Sequence, residues 1–384
     1  MKKKNIAVIF GTRPDTIKLA PVILDLERST RYRPITIATA QHRHMLDQVL
    51  EVFRIKPDYD LNIMEPKQSL ARLTKNSIAA LDDLLVETKP DMVLVQGDTT
   101  TTFVGSLAAF YRQIPVGHVE AGLRTEDKAN PFPEEINRRL TSCIADLHFA
   151  PTDTAKRALL KEHIPSSNIF VTGNTVIDAL RYSVHKDFTF SDSRINDFVS
   201  QKRRIMLLTM HRRENWGTPM TGASEAVRAL AKRYPDDRFV FPVHLNPVVR
   251  EVVYPILGDL SNVILIEPLP YSAFVNLMAR SYLIITDSGG VQEEGPSLGK
   301  PVLVLRTVTE RPEAVKYGTV KLVGLNPSTI ASTARKLLDD TNAYRRMASA
   351  TNPYGDGHAS RRTLQALDTY FGFARKRPQD FRPR

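Results

Sequence analysis

Residues 6–14 read Ile-Ala-Val-Ile-Phe-Gly-Thr-Arg-Pro, and this stretch decides the fold class of the chain. Its apolar run, Ile6–Phe10, lacks the alternation of a half-buried strand and is typical of a strand covered on both faces. Gly11 then permits a tight turn, and Pro14 suits the start of a helix. Met92–Val95 is a second run of the same kind. Strands of this type alternating with helices indicate an α/β domain with a parallel sheet.

The same alternation continues to the end of the chain. We predict strands near residues 6–10, 34–39, 92–95, 115–119, 147–150, 169–171, 205–209, 239–243, 263–266, 283–286, 302–305 and 320–323. Amphipathic patterns in the first half predict helices over residues 15–29, 68–88, 100–112, 133–145 and 152–162. Because functional loops of parallel sheets follow the carboxyl ends of the strands, we expect the chemistry directly after strands.

Length and pattern predict two domains. Residues 181–204 are polar and charged with no sustained strand pattern, and we predict a linker region there. The first α/β domain then covers residues 1–180 and the second covers 205–357. Residues 358–384 form a C-terminal helix, which we expect to pack back on the first domain, and a basic tail, interpreted as a solvated terminus.

Composition limits the class of protein. The 53 basic and 42 acidic residues of the 384-residue chain give a net charge of +11. This charge favours an anionic partner, which composition leaves open as nucleic acid, a membrane surface or a phosphorylated small molecule. A single cysteine, Cys143, excludes an internal disulfide and a cysteine-rich metal site. No apolar run is long enough for a signal peptide or a membrane span, so we expect a soluble, cytoplasmic protein.

Two loops are candidates for binding phosphate. In the first, Arg13 and Lys18 lie at a helix start, where cations are unfavourable unless an anion lies between them. Two ordinary surface cations are an equally good interpretation of that loop. The second loop, Ser288–Gly290, offers free backbone N–H groups, and Glu294 follows at a position suited to ribose hydroxyls. A glycine turn capped by Ser288 is the structural alternative.

Three carboxylates follow strands of the first half, and they are Asp98, Glu120 and Glu134. Each has a structural alternative: Asp98 as a helix cap, Glu120 paired with Arg124, and Glu134 favouring a helix N-terminus. Together at one sheet edge they offer what general acid–base chemistry needs.

In the second half, His211 follows a predicted strand beside two arginines, and His244 holds the equivalent position one strand on. Arg311 could add a phosphate contact. A lone histidine is usually structural, but His211 at a strand end could donate a hydrogen bond to a pyrophosphate. The pair His42 and His44 lacks metal-ligand spacing, so we predict no metal site. No G-x-G-x-x-G sequence follows a strand, so nicotinamide and flavin have no support and we expect no cofactor.

Eight motifs, in order, resemble the bacterial non-hydrolysing UDP-N-acetylglucosamine 2-epimerases. They are GTRPDTIKLAPV, QGDTTTTF, VGHVEAGLRT, PFPEEINRR, VTGNTVIDAL, HRREN, PVHLNPVVRE and DSGGVQEEGPSLGKPVLVLR, and they extend from about residue 5 to residue 360. The resemblance implies a glycosyltransferase-B-like fold of two Rossmann-like domains facing across a cleft. It also implies a UDP-sugar substrate and a homodimer, with neither nucleic acid nor membrane as partner.

The resemblance also implies roles for single residues. The implied catalytic group is Asp98, Glu120, Glu134 and His211, the last at the diphosphate. The implied substrate-binding residues are Arg13, Lys18, Phe274, Ser288, Gly289, Gly290, Glu294 and Arg311, with Phe274 near the uracil. A regulatory site would include Gln41, His44 and His244. The chain departs from the family in having Asp15 where Glu is usual. It also has His44 and Asn76 where substrate-activated members carry Gln and Arg, which puts substrate activation in doubt.

The expected reaction is reversible epimerisation of UDP-N-acetylglucosamine to UDP-N-acetylmannosamine. The C2 hydrogen of the sugar is not next to a carbonyl, so simple deprotonation is too costly. Loss of UDP from C1 while a base takes the C2 proton gives a 2-acetamidoglucal, and re-addition gives the epimer. This route needs carboxylates at the sugar and cations at the diphosphate. The alternatives are an epimerase of a UDP-diacetamido-uronic acid and a glycosyltransferase of the same fold.

Overall fold

The computed structural model describes residues 2–39, 43–65 and 68–383, with the side chains of residues 43–45 left undescribed. It divides into two compact units. The first unit contains the chain up to Tyr182 together with Tyr354–Pro383, and the second contains Ser183–Pro353. The chain therefore crosses into the second unit once and returns to the first for its last helix.

In the described residues, the first unit holds a seven-stranded parallel sheet with strand order β3-β2-β1-β4-β5-β6-β7. The strands are β1 (Lys4–Phe10), β2 (Tyr32–Ala38), β3 (Tyr59–Asp60), β4 (Met92–Gln96), β5 (Val116–Val119), β6 (Leu147–Ala150) and β7 (Ile169–Val171). The order reverses direction between β1 and β4, as in doubly wound sheets, where loops at the strand ends form ligand sites.

Helices cover this sheet. They are α1 (Arg13–Arg28), α2 (Arg43–Phe53), α3 (Leu70–Thr88), α4 (Thr100–Tyr111), α5 (Glu134–Ile144), α6 (Asp153–Lys161), α7 (Thr175–Ser183) and α16 (Ala359–Tyr370), with a 3-10 turn at Ser166–Asn168. Ala7, Ile9 and Val95 of the central strands pack with Leu81 and Val104 of α3 and α4 in one buried cluster. Burial on both faces explains why these strands read as unbroken apolar runs.

The second unit holds a six-stranded parallel sheet in its described residues, with strand order β10-β9-β8-β11-β12-β13. The strands are β8 (Ile205–Thr209), β9 (Arg238–Pro242), β10 (Val263–Ile266), β11 (Leu283–Thr286), β12 (Val302–Val304) and β13 (Val320–Leu322). The helices are α8 (Ser193–Ser200), α9 (Thr218–Arg233), α10 (Pro247–Leu257), α11 (Tyr271–Arg280), α12 (Val291–Ser297), α13 (Pro312–Lys316), α14 (Pro327–Asp339) and α15 (Thr341–Ala348), with a 3-10 turn at Arg213–Asn215. Each unit is Rossmann-like, with helices between parallel strands.

The structure agrees with every predicted strand to within about two residues and adds the two-residue strand β3. Residues 181–204, predicted as a linker region, contain the helix α8, whose Ile195 is fully buried. The second unit contains Ser183–Pro353, whereas the predicted second domain covers residues 205–357. The second unit therefore begins and ends earlier in the chain than predicted.

The C-terminal helix α16 packs against α1 of the first unit, as expected from the sequence. Asp368 of α16 accepts hydrogen bonds from the Arg31 guanidinium at 2.7 Å and the Tyr32 hydroxyl at 2.8 Å. The interpretation of the basic tail as a solvated terminus is wrong, because the tail packs along the same unit: Phe381 is buried and Lys156 pairs with Asp380 at 2.7 Å. These contacts join the two ends of the chain into one unit.

Candidate active site

The candidate site of the first unit lies at the carboxyl edge of its sheet. Because the strands are parallel, the loops after β1, β4, β5 and β7 all leave at this edge. The backbone approaches closely here, since a Cβ added at Gly11 would lie 2.4 Å from the Thr39 and Thr101 hydroxyls. Those two hydroxyls are 3.0 Å apart. Glycine at position 11 thus lets the loop after β1 lie against the loop after β2 and helix α4.

Glu120 is the most heavily hydrogen-bonded carboxylate of this edge. It directly follows β5 with a left-handed φ of +62°, which aims its side chain into the edge. The Lys18 ammonium lies 2.6 Å from Oε1 and 2.5 Å from Oε2. Gln96 donates to Oε2 at 2.5 Å and Asn174 donates to Oε1 at 2.8 Å. The carboxylate is therefore buried with donors on both oxygens.

Asp98 lies in the loop after β4, partly exposed, and pairs with the Arg138 guanidinium at 2.5 Å. Asn137 donates to the Asp98 carbonyl at 3.0 Å, so helix α5 holds this residue through two side chains. Loss of surrounding water raises the pKa of Asp98; the Arg138 charge opposes this and the Glu120 charge adds to it. A carboxyl with a raised pKa between a cation and another carboxylate is suited to exchanging a proton.

Glu134 is the first residue of α5, where a carboxylate is favourable against the helix dipole. Residues three and four positions apart share a helix face, so Glu134 lies on the face from which Asn137 and Arg138 contact Asp98. Its neighbour Glu135 is buried and accepts from the Thr125 backbone N–H at 3.1 Å. Glu134 therefore shares a helix face with the two residues that contact Asp98.

Asp15, which stands where the family usually has Glu, is a further carboxyl of this edge. It is buried in the first turn of α1 and accepts from the Thr12 backbone N–H and the Thr99 hydroxyl, both at 3.2 Å. Its pKa is raised to about 6, mainly by burial and in part by the Asp98 charge, while the hydrogen bond with Thr12 opposes the rise. Arg13, at the first position of α1, is exposed.

The second unit holds a histidine–carboxylate pair after β8 and β11. Nδ1 of His211 lies 3.0 Å from Oδ1 of the fully buried Asp287. Oδ2 of Asp287 accepts from the backbone N–H groups of His211 and Arg212, both at 2.9 Å, and from Asn215 at 3.0 Å. Burial opposes ionisation of Asp287, but His211 and these N–H groups outweigh it and hold its pKa below the ordinary value. The ring of His211 is therefore oriented by a carboxylate while remaining partly exposed.

The Ser288–Gly290 loop follows β11 directly. Arg311 lies over it, because a Cβ added at Gly289 would come within 2.8 Å of the Arg311 Nη1 atom. Arg311 is itself fixed by Glu293, whose Oε1 accepts from Arg311 Nε at 2.6 Å. The structure thus brings Arg311 and this loop together. The Ser288 backbone N–H already donates to the Thr286 hydroxyl at 2.9 Å, contrary to the free N–H groups expected there, so the Arg311 guanidinium over Gly289 is the group suited to an anion.

Glu294 and Phe274 both belong to the second unit. Tyr271 is the first residue of α11, and its pKa lies well above the ordinary value because its hydroxyl is buried and, second, because the Glu294 carboxylate lies beside it. Phe274 follows Tyr271 by one helical turn and shares its face. The carboxylate predicted at the ribose therefore lies beside α11, the helix that carries the ring predicted at the uracil.

The predicted regulatory residues are described only in part. His244 is exposed, with its ring stacked on that of His211 at 6.1 Å between centroids. Burial and then the His211 charge lower the pKa of His244. Gln41 lies outside the described residues, and the side chain of His44 is not described.

Three structural alternatives left open by the sequence are wrong. Arg124 pairs with Glu162 at 2.7 Å rather than with Glu120. Thr99, not Asp98, caps α4 by accepting from the Thr102 N–H. Helix α12 begins after Gly290 without a side-chain cap, so Ser288 is not its cap. Glu134 does occupy a helix N-terminus, which leaves its acid–base interpretation open as well.

Gln96, Asn174 and Asp287 are among the polar residues of the site that the sequence alone does not identify. Asp287 follows a strand within a quoted motif, and that position is the signal that could have identified it. In the described residues, no group of three or more His, Cys, Asp or Glu side chains is placed to hold a metal ion. No helix of the described chain is both long enough and apolar enough to cross a membrane.

Known proteins resemble this chain over nearly its whole length. A family model described as UDP-N-acetylglucosamine 2-epimerase matches residues 24–368. The UDP-N-acetylglucosamine 2-epimerase of Bacillus subtilis is 54% identical over 381 residues, covering 99% of both chains. The crystal structure of a putative UDP-N-acetylglucosamine 2-epimerase from Listeria monocytogenes is 48% identical with a TM-score of 0.94, covering 99% of this chain and 100% of that one.

A solved structure that includes a ligand is also similar. The UDP-GlcNAc 2-epimerase from Neisseria meningitidis, whose crystal structure has UDP-GlcNAc bound, is 52% identical, with a TM-score of 0.84. The match covers 94% of this chain and 99% of that one. These likenesses confirm the expected fold class, an α/β fold of two Rossmann-like domains of the glycosyltransferase-B-like kind.

Proposed function

Because this chain belongs to the UDP-N-acetylglucosamine 2-epimerase family, we propose that it interconverts UDP-N-acetylglucosamine and UDP-N-acetylmannosamine. The reaction inverts C2 of the sugar. One carboxylate takes the C2 proton while the bond between C1 and the diphosphate oxygen breaks, and the electron pair of that bond leaves with UDP. The intermediate is 2-acetamidoglucal. Protonation at C2 from the other face and return of UDP to C1 complete the exchange.

The observation that carries this proposal is the carboxylate group at the edge of the first sheet. Glu120 lies among three donor side chains, and Asp98 nearby has a raised pKa. A carboxylate surrounded by donors beside a carboxyl with a raised pKa is the kind of pair that a base and an acid require. Glu134, on the α5 face that contacts Asp98, is the third member of the group.

The second unit supplies the groups for the leaving diphosphate. Arg311 and the Ser288–Gly290 loop are assigned to phosphate oxygens, and Glu294 with Phe274 to the ribose and uracil. His211 is assigned to the diphosphate as a donor oriented by Asp287. Preorganised cations and N–H groups stabilise the charge that develops on UDP as the C1–O bond breaks. Arg13 and Lys18 are proposed as diphosphate contacts because they lie in a motif of the family.

Proton NMR in deuterated buffer tests this function directly. Purified protein with UDP-N-acetylglucosamine alone should produce the manno epimer carrying deuterium at C2. Glu120→Gln should slow that exchange by about 10²-fold or more while UDP binding, measured by calorimetry, stays within about twofold. Glu51→Gln, an exposed residue of α2, is the matched control and should retain full turnover. Absence of any epimer from the parent protein would reject the proposal.

We also propose that the chain forms a homodimer through the first unit. Large apolar side chains of α4, α5 and the loop before α5 are exposed: Phe110, Tyr111, Phe132, Ile136 and Leu140. Ile136 and Leu140 are one turn apart on α5 and share a face. Exposed apolar patches of this kind usually mark interaction surfaces.

Light scattering coupled to size-exclusion chromatography tests the dimer. The double variant Ile136→Glu, Leu140→Glu should have half the mass of the parent protein. Leu160→Glu, an exposed leucine of α6, is the control and should keep the parent mass. A monomeric parent, or an unchanged mass in the double variant, would contradict the proposal.

A further inference from the structure

Both oxygens of the Glu120 carboxylate accept hydrogen bonds from groups that cannot themselves accept a hydrogen bond. The Lys18 ammonium and the two side-chain amides are donors only at the atoms that face Glu120. Gln96 Nε2 lies 2.5 Å from Oε2 and Asn174 Nδ2 lies 2.8 Å from Oε1. A protonated carboxyl would turn an O–H towards one of these donors, so the arrangement selects the ionised form.

The two amides are fixed in this orientation by the fold. Oδ1 of Asn174 accepts from the Val176 backbone N–H at 3.1 Å, which leaves Nδ2 as the group that faces Glu120. The Asn174 backbone N–H donates to the Tyr354 carbonyl at 2.6 Å, so the returning C-terminal segment holds this residue. Gln96 is the last residue of β4 and pairs in register with Val119, next to Glu120. Both amides are fully buried.

We infer that Gln96 and Asn174 are positioning residues, which hold Glu120 as an oriented anion independently of Lys18. This inference rests on the proposed function, in which Glu120 acts on the C2 proton. The two amides then keep the carboxylate in place when Lys18 pairs with substrate instead of with Glu120. The end of β4 and the loop after β7 thus meet at this one carboxylate, which follows β5.

Replacing an amide donor with a carboxyl tests the inference. Gln96→Glu, and separately Asn174→Asp, set a second carboxyl against Glu120, so the pair binds a proton that the parent does not hold at neutral pH. Asn174→Asp also keeps an oxygen for the Val176 N–H. We expect the acid limb of the pH profile of kcat/KM to rise by about one to two pH units, with kcat at pH 7 falling at least about tenfold. Activity should recover as the pH is raised, and KM should change little.

Gln365→Glu, an exposed residue of α16 in the same unit, is the control for added charge and should leave the profile unchanged. Circular dichroism verifies that each variant folds. If Gln96→Glu does not fold, Asn174→Asp and Gln96→Met replace it, and the same shift in the pH profile of kcat/KM and a lower kcat are expected. Folded variants with the parent pH profile and kcat would overturn the inference. A parent protein without epimerase activity would instead reject the proposed function, so the two failures are distinguishable.

Discussion

Two buried histidines make the first unit sensitive to acid. His118 of β5 and His148 of β6 pair in register on adjacent strands, and both are fully buried. Burial lowers the pKa of His118 to about 3 and that of His148 to about 4, from an ordinary value of 6.5. His118 bonds the Gly97 carbonyl at 2.7 Å, in the loop that also carries Asp98. Both rings are therefore neutral in the folded protein at pH 7.

The size of the loss in the free energy of unfolding on acidification follows from proton linkage. A histidine with a lower pKa in the folded state binds more protons when unfolded, so its contribution to stability is lost as the pH falls below 6.5. Between pH 7 and pH 5, each ring lowers the free energy of unfolding by about 2 kcal/mol, at about 1.4 kcal/mol per pH unit. The two together remove about 4 kcal/mol, a large fraction of a typical domain stability.

Substitution of one of the two histidines measures its part of the loss in the free energy of unfolding. His148→Leu should recover about 2 kcal/mol of the loss between pH 7 and pH 5, whatever its effect at neutral pH. The assay is urea unfolding followed by far-ultraviolet circular dichroism at both pH values. His163→Leu, at an exposed position, is the control. Trp216, the single tryptophan, lies in the second unit and reports separately on that unit. Equal acid sensitivity in His148→Leu and the parent would refute the reasoning.

Three further predictions concern the site. Asp98→Asn should lower kcat by about 10²-fold or more at unchanged UDP affinity, as measured by coupled turnover and calorimetry, and turnover near the parent value would remove this residue from the chemistry. Asp287→Asn should lower kcat because His211 loses the carboxylate at its Nδ1, and the histidine ring resonances should shift in NMR spectra; unchanged resonances would contradict the pairing. Gly11→Ala should lower the free energy of unfolding by about 1–3 kcal/mol, because its Cβ would overlap two threonine hydroxyls; a variant as stable as the parent in urea would show that the loop can move.

The sequence predicts the strands well because both sheets are parallel and buried. An apolar run such as Ile6–Phe10 or Met92–Val95 can be predicted as a strand from its own residues, without knowledge of the strands that pair with it. Helix α8 is not predicted, because it is short and its residues are mostly polar, with Ile195 as the one fully buried side chain. The strand β3 has two residues and is defined by its pairing with β2, which local sequence does not encode.

The charged residues of the site can be predicted, but their partners cannot. Asp98 and Glu120 follow strands and attract attention by their charge. From its loop, Lys18 is either a phosphate contact or an ordinary surface cation, and in the structure it contacts Glu120, which is 102 positions away. Gln96 and Asn174 carry no charge and lie in ordinary strand-end positions, so only the three-dimensional arrangement identifies them. Contacts between residues distant in sequence are what the linear pattern leaves out.

Cleavage of the bond between C1 and the diphosphate is the central claim of the mechanism, and positional isotope exchange tests it most directly. The substrate is UDP-N-acetylglucosamine with ¹⁸O in the oxygen that joins C1 to the β-phosphorus. If UDP leaves and returns, ³¹P NMR should show the label moving into the non-bridging oxygens of the β-phosphate while the manno epimer forms. Epimer that keeps all of its label in the bridging oxygen would mean that this bond stays intact, which would contradict elimination.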